Sequence, residues 1–174
     1  MIEIRVKAHI PNAFTFFNLT LGILAILSIF NEAYTVSAIL ILLAALMDRF
    51  DGKIARKLDV ESDLGKELDS LCDLISFGVA PAILIWSFKL VNFGVIGIII
   101  IVLFAIAGAY RLALYNIMDF EGFYMGIPIT VTGGIVALMT LYSINYSMNI
   151  YFLCITMVFL SYAMISKRIK LKKR

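Results

Sequence analysis

Eight of the chain's twelve acidic residues fall within the 26 residues from Asp48 to Asp73. Four of them are aspartates spaced three or four residues from a partner: Asp48, Asp51, Asp69 and Asp73. Since helical residues advance about 100° each, the first pair shares one helix face and the second pair shares another. Hard carboxylate oxygens suit Mg²⁺ or Mn²⁺, and no His or Cys joins these aspartates at ligand spacing. The pattern therefore predicts a divalent-metal site.

Very small residues lie on the same two helix faces, at Gly52, Ala55 and Gly65. They leave room for a bulky ligand, such as a nucleotide, to lie close to the backbone. Two metals bridged by carboxylates would hold a diphosphate and stabilise both the attacking and the leaving oxygens of an in-line displacement. The residue types thus favour metal-dependent group transfer from a nucleoside diphosphate.

A solvated, salt-bridged loop is the alternative explanation, because Lys and Arg are interleaved with the acids. We adopt it for Asp59, Glu61 and Asp63. It does not explain why the four aspartates share faces with small residues.

The elements that position these residues are predicted to be membrane helices. Hydrophobic residues make up 62% of the 174 residues, charged residues only 16%, and the mean hydropathy is +0.98. A water-soluble surface cannot be assembled from this composition. Six apolar stretches have lengths near the roughly 20 residues that span a bilayer. They are 13–31, 33–47 continuing to about 57, 67–88, 91–115, 127–145 and 149–166. We predict an all-α, polytopic membrane protein with six transmembrane helices, in which residues 1–174 form a single domain.

Orientation follows from the basic residues, which concentrate in cytoplasmic loops. With six spans and the N-terminus inside, only Lys89 of the 15 basic residues falls outside. We therefore predict an N-in/C-in protein of the cell membrane with its active site facing the cytoplasm. The net charge of +3 collects at 167–174, where anionic lipid headgroups attract it, and no nucleic-acid partner is expected.

The two acidic faces belong to consecutive helices. A second helix from 33 to about 57 would be about 37 Å long, exceeding a hydrocarbon core of about 30 Å. Asp48 and Asp51 would then lie near the cytoplasmic interface. Ser62 or Asp63 can cap the third helix, and the short connection makes the two helices antiparallel neighbours whose acidic faces meet.

The whole segment resembles a known family signature. It reads Asp48-x2-Asp51-Gly52-x2-Ala55-Arg56-x8-Gly65-x3-Asp69-x3-Asp73 and is similar, at every fixed position, to the signature of the CDP-alcohol phosphatidyltransferases. The resemblance implies six transmembrane helices, a homodimer, two divalent metals on the aspartates and a nucleotide packed against Gly52 and Ala55. It also implies that Asp73 is the general base that takes the acceptor hydroxyl's proton.

Further segments point to the phosphatidylserine synthase branch of this family. They are Ile10-Pro11-Asn12-x2-Thr15-x2-Asn18-x3-Gly22, Ser76-Phe77-Gly78-Val79-Ala80-Pro81-Ala82, Arg111-Leu112-x3-Asn116 and Phe123-x2-Gly126-Ile127-Pro128. This resemblance implies transfer from CDP-diacylglycerol or CDP-archaeol to L-serine, with release of CMP. The chain departs from the branch at Leu114 and Tyr115, where a second Arg and a Phe are typical.

Residues outside the aspartates are assigned by the same resemblance. The CDP-lipid is expected to contact Gly52, Ala55, Arg56, Gly65, Asn12, Thr15 and Asn18. Thr15 and Asn18 could instead join helices by hydrogen bonds. Serine is expected at Ser76, Arg111 and Asn116. Arg111 must pair within the membrane, either with the serine carboxylate or with the aspartates.

Other functions remain as alternatives. Glycerol 3-phosphate or inositol phosphate as acceptor would call for a dedicated anion site, and no spare set of basic residues is obvious. Intramembrane prenyltransferases carry their aspartate pairs on widely separated helices of longer chains. A divalent-cation transporter would explain the carboxylates but not the Gly-x2-Ala-Arg spacing.

Overall fold

The computed structural model describes residues 2–58, 62–118, 123–168 and 170–172. Within these ranges it describes only the backbone at 2–11, 51–58, 123–124 and 170–172. The predicted side-chain roles of Asp51, Gly52, Ala55 and Arg56, and the predicted loop at Asp59 to Glu61, therefore lie outside the described residues.

Six helices follow one another along the described part of the chain, as the six apolar stretches predict. They are α1 (Ile2–Phe30), α2 (Tyr34–Leu58), α3 (Asp63–Phe88), α4 (Val95–Ile117), α5 (Ile129–Asn145) and α6 (Ile150–Ile165). A short 3₁₀ turn, Leu90–Phe93, separates α3 from α4.

The outer surface of this bundle is apolar. Large side chains that are about half exposed or more recur along the helices, among them Leu27, Ile39, Ile106, Leu138 and Ile155. Exposing a contiguous apolar surface of this size to water is unfavourable, whereas contact with lipid tails is not. Among the described residues, Asn12–Phe30, α3 and α4 are long and apolar enough to cross a membrane, while α5 and α6 are shorter apolar helices. The chain is a multi-pass membrane protein.

The third helix lies at the centre of the bundle. Beyond its first turns it packs against α1, α2, α4 and α5, and it contributes Phe77, Leu84 and Ile85, which are fully buried. Helix α1 packs along α2, and α4 packs along α6. This arrangement places the acidic start of α3 beside α1.

A π-helical turn, Leu74–Val79, widens α3 directly after Asp73. Pro81 has no N–H to donate to the preceding turn, so a regular hydrogen-bond ladder cannot continue through this segment. Two glycines let neighbouring helices approach the turn. A Cβ on Gly22 of α1 would overlap the Ser76 hydroxyl, and one on Gly133 of α5 would lie 2.6 Å from the Phe77 carbonyl oxygen.

Two short strands accompany the helices, which the all-α prediction did not include. Strand β1 (Phe123–Met125) pairs antiparallel with β2 (Lys170–Lys172), and Tyr124 lies opposite Leu171. The segment that was predicted to rest on lipid headgroups thus has a backbone partner within the chain at 170–172.

Candidate metal centre

Three carboxylates from two helices converge near one end of the bundle. One oxygen from each of Asp48 on α2, Asp69 on α3 and Asp73 on α3 lies within 4.8 Å of the others. Asp73 is only 6% exposed, and Asp48 and Asp69 are half-buried. The predicted meeting of the two acidic faces is thus observed for three of the four aspartates, since the Asp51 side chain is not among those described.

Two neutral hydrogen-bond donors orient two of these carboxylates, those of Asp73 and Asp48. Asn18 Nδ2 on α1 donates to Asp73 Oδ1 at 3.1 Å. Thr130 Oγ1, in the first turn of α5, donates to Asp48 Oδ2 at 3.2 Å. Because both donors are uncharged, they fix the carboxylates without neutralising them.

The position of Asn18 is itself fixed by the π-turn. Ser76 Oγ donates to the Asn18 carbonyl oxygen at 3.2 Å, and both residues are fully buried. The missing side chain of Gly22 permits this contact. The π-turn therefore helps to hold the residue that orients Asp73.

A divalent cation fits this group of side chains. Asp69 Oδ1 is buried and has no hydrogen-bond partner among the described residues. A buried oxygen of this kind costs free energy unless it is paired, and additional carboxylate oxygens lie within 4.8 Å of the Asp69 carboxylate. Such all-oxygen sites suit Mg²⁺, Mn²⁺ or Ca²⁺.

The start of α3 is fixed by a side-chain cap. Ser62 Oγ accepts a hydrogen bond from the Gly65 backbone N–H at 3.1 Å, so of the two predicted caps the structure uses Ser62. A Cβ on Gly65 would lie 3.1 Å from Ser62 Oγ and 3.5 Å from Asn12 Oδ1. Asn12 of α1 therefore lies beside Gly65, as expected if both border one site.

Arg111 of α4 is a buried cation near Asp73. It is 8% exposed, its guanidinium stacks 4.6 Å from the centroid of the Tyr115 ring, and it attracts Asp73 electrostatically. Its Nε has no hydrogen-bond partner among the described residues. A buried guanidinium with an unused N–H can receive an anionic group.

Other residues predicted to contact serine are engaged within the chain. Asn116 Nδ2 donates to Ser70 Oγ at 3.1 Å, and the backbone carbonyl oxygen of Asn116 accepts from Lys66 Nζ at 3.3 Å. These bonds join α4 to the first half of α3. Ser76 likewise uses its hydroxyl on α1.

An open apolar groove of about 310 Å³ lies between α1 and α2. Its lining residues are Ala13, Phe14 and Phe17 of α1 and Met47 of α2. Met47 directly precedes Asp48 in the sequence of α2. Thr15, one residue from Phe14, is buried on another face of α1.

Comparison with protein families decides what this arrangement belongs to. The model of the CDP-alcohol phosphatidyltransferase family matches residues 8–165. The chain belongs to this family. The matched region includes all four aspartates, Asn18, Arg111 and Thr130, and membership agrees with the resemblance found in the aspartate spacing.

Individual CDP-alcohol phosphatidyltransferases give a finer comparison. The chain is 37% identical over 160 residues to the CDP-diacylglycerol--serine O-phosphatidyltransferase of Bacillus subtilis, covering 91% of this chain and 88% of that one. It is 42% identical over 129 residues to the enzyme of the same name from Methanocaldococcus jannaschii, covering 74% of this chain and 59% of that one. It is also 40% identical over 126 residues to the archaetidylserine synthase of Methanothermobacter thermautotrophicus, covering 70% of this chain and 53% of that one. The chain thus spans only a little more than half of the two archaeal relatives.

Two residues that contact this candidate site are not indicated by the sequence patterns. Thr130 reaches Asp48 across 82 positions of the chain, and its only signal was its place just after the Gly126-Ile127-Pro128 segment. Tyr115 departs from the branch pattern, and nothing in the sequence indicates that it contacts Arg111.

Proposed function

We propose that the protein transfers the phosphatidyl or archaetidyl group of a CDP-linked lipid to the hydroxyl of L-serine and releases CMP. The observation that carries this proposal is the convergence of Asp48, Asp69 and Asp73, with Asp73 oriented by Asn18, in a chain of this family. The names of its relatives supply the serine acceptor.

The carboxylates have separate roles in this mechanism. Asp48, Asp51 and Asp69, with a share from Asp73, would hold two Mg²⁺ or Mn²⁺ ions. When bound, the ions screen the diphosphate charge and stabilise the developing charge on the CMP leaving group. Asp73 takes the proton from the serine hydroxyl as its oxygen attacks the lipid-side phosphorus and the bond to the CMP oxygen breaks. Since Asn18 binds one Asp73 oxygen, the carboxylate keeps a fixed direction during proton transfer.

The CDP-lipid is placed by the residues around the start of α3. We assign its cytidine diphosphate to the side chains predicted from the signature, Gly52, Ala55, Arg56 and Gly65, together with Asn12, Thr15 and Asn18 of α1. The groove at Phe14, Phe17 and Met47 is suited to the lipid tails of CDP-diacylglycerol or CDP-archaeol, because it is apolar and open to the bilayer.

The serine carboxylate is assigned to Arg111. Of the three residues predicted to contact serine, Arg111 alone has a buried side-chain nitrogen or oxygen atom with no hydrogen-bond partner among the described residues. Asn116 and Ser76 donate their side-chain hydrogens to other parts of the chain. In this proposal they position the site, and Arg111 binds the substrate.

The membrane arrangement completes the proposal. All six helices cross the bilayer with both termini in the cytoplasm, the carboxylates face the cytoplasm, and two copies form a homodimer in the cell membrane. The distribution of basic residues supports the orientation, and family membership supports the helix count and the dimer.

The acceptor is tested by CMP release from CDP-diacylglycerol in liposomes that contain the purified protein and Mg²⁺ or Mn²⁺. L-Serine, glycerol 3-phosphate and inositol phosphate are offered separately at equal concentration. We expect CMP release with serine and at most background with the other two. Release with either phosphate acceptor but not with serine would refute the serine assignment while leaving the transfer chemistry intact. Metal entry into the liposomes without CMP release under any condition would favour a transporter.

A further inference from the structure

The strand pair β1–β2 lies at the end of a chain of contacts that leads to Arg111. Met125, the last residue of β1, accepts a hydrogen bond through its carbonyl oxygen from Tyr115 Oη at 2.7 Å. The ring of the same tyrosine lies under the Arg111 guanidinium, 4.6 Å from its Cζ atom. The backbone of β1 thus holds the residue that supports Arg111.

The segment after β1 is fixed to the end of α6. Gly126 has a φ of +71°, and a Cβ there would overlap the Met164 carbonyl oxygen. Ile127 N–H donates to the Ala163 carbonyl oxygen at 3.1 Å. These contacts hold one end of β1, whereas the strand itself is held by β2.

We propose that β2 is a clasp that positions the Arg111 guanidinium. By pairing with β1, it keeps the Met125 carbonyl where the Tyr115 hydroxyl can donate to it, and Tyr115 then holds Arg111 in one orientation. The assignment of Arg111 to the serine carboxylate rests on the proposed function, but the clasp itself does not. In this role Tyr115 is a positioning residue, since it acts through Arg111.

Charge is the competing explanation for any effect of the 170–172 segment, because Lys170 and Lys172 could act on anionic lipid. Backbone pairing and charge can be separated in this chain. Truncation after Arg168 removes β2, whereas the double substitution Lys170→Gln and Lys172→Gln keeps the backbone that pairs and removes both charges.

The experiment is a double-mutant cycle on the kinetic constants for serine and the CDP-lipid. The variant Arg111→Lys first identifies which kinetic constant depends on Arg111. Under the proposed function this constant is the KM for serine. Tyr115→Phe keeps the ring and removes the hydroxyl, so it and the truncation should each raise that constant about three- to tenfold, the range for one hydrogen bond. The two changes combined should raise it no more than either alone, because both break the same connection. The Lys170→Gln/Lys172→Gln variant should stay within about twofold of the unaltered protein, below the effect of one hydrogen bond.

Each other result has a defined meaning. Additive effects of Tyr115→Phe and the truncation, or no effect of either on the constant that Arg111→Lys changes, would overturn the clasp. The clasp would also be overturned if the Lys170→Gln/Lys172→Gln variant raised that constant as much as the truncation does, because the effect would then come from charge. If Arg111→Lys changes the KM for the CDP-lipid instead, the serine assignment fails. The effects of Tyr115→Phe and of the truncation are then compared on the KM for the CDP-lipid. A loss of fold is recognised separately, because it lowers kcat and the melting temperature together without a selective change in one KM.

The strand pairing can be measured in the membrane as well. Phe123 and Lys172 lie opposite each other, at a separation that a disulfide spans in antiparallel strands. With Phe123→Cys and Lys172→Cys, we expect a cross-linked peptide pair by mass spectrometry after mild oxidation. The pair Phe123→Cys and Arg168→Cys is the control that should not cross-link. Equal cross-linking of both pairs, or none of the first, would contradict the clasp.

Discussion

Asn18 is a fully buried amide, and its side chain donates a hydrogen bond to the carboxylate that we propose as the base. Its Oδ1 has no partner among the described residues. Burying an amide that is only half satisfied is unfavourable. The arrangement is understandable if orienting Asp73 outweighs this cost, or if a substrate donor reaches Asn18 Oδ1 during turnover.

Asn18→Ala should therefore lower kcat about 10- to 100-fold, the equivalent of about 1.5–3 kcal/mol for a hydrogen bond to a charged group. Thr20→Ala is a matched control on the same helix, because Thr20 is exposed and its hydroxyl donates to the Phe16 carbonyl oxygen within that helix. Initial rates at saturating CDP-lipid and serine measure the effect. Equal rates for the two variants would show that Asn18 does not orient the base.

At the scale of elements, the site depends on how closely α1 and α5 approach the π-turn of α3. Gly22 and Gly133 are the contact points, and both would place a Cβ within 3.0 Å of α3 atoms. Asp73 and Ser76 lie at and just inside the start of this turn. A change in the α1–α3 contact therefore moves Asn18 relative to Asp73.

Gly22→Ala should destabilise the protein by about 1–3 kcal/mol, as overpacking of a close contact does, since the added Cβ would also lie 2.9 Å from the Ser76 Cα. Gly134→Ala is the matched control, because its Cβ would meet only Leu42 Cδ2 at 4.0 Å. Thermal unfolding in detergent compares the two. A melting temperature for Gly22→Ala equal to that of Gly134→Ala would contradict the close α1–α3 contact.

Local patterns predicted much of this arrangement, and long-range contacts supplied the rest. Apolar stretches located all six helices of the described chain, and the polar residues before the third helix gave two possible caps, Ser62 and Asp63, of which Ser62 is the one used. The spacing of Asp69 and Asp73 placed them on one face with Asp48 opposite. The Thr130 bond to Asp48 and the pairing of β1 with β2 join residues far apart in sequence, and neither side-chain periodicity nor spacing records such contacts.

At the scale of the whole molecule, the described helices carry many large apolar side chains on the outer surface of the bundle. The positive-inside arrangement predicts that Lys89 and Lys167 lie on opposite sides of the membrane. In sealed, right-side-out vesicles, Lys89→Cys should react with a membrane-impermeant maleimide and Lys167→Cys should react only after the vesicles are opened. The native Cys72 and Cys154 are buried, so the unaltered protein is the control. Labelling of both introduced cysteines before opening would refute an N-in/C-in topology.

In the proposed reaction, metal-bound carboxylates and Asp73 as base carry out the transfer to serine. The most direct test measures CMP release from CDP-diacylglycerol and L-serine by the unaltered protein, by Asp73→Asn and by Glu67→Gln, each with Mg²⁺ or Mn²⁺ and after chelation. Glu67 is an exposed acid on the same helix and serves as the control. We expect that chelation abolishes CMP release, that Glu67→Gln keeps it, and that Asp73→Asn lowers it about 10²- to 10⁴-fold, the usual contribution of a general base. Near-normal release by Asp73→Asn, or release that persists without a divalent metal, would contradict the proposed reaction.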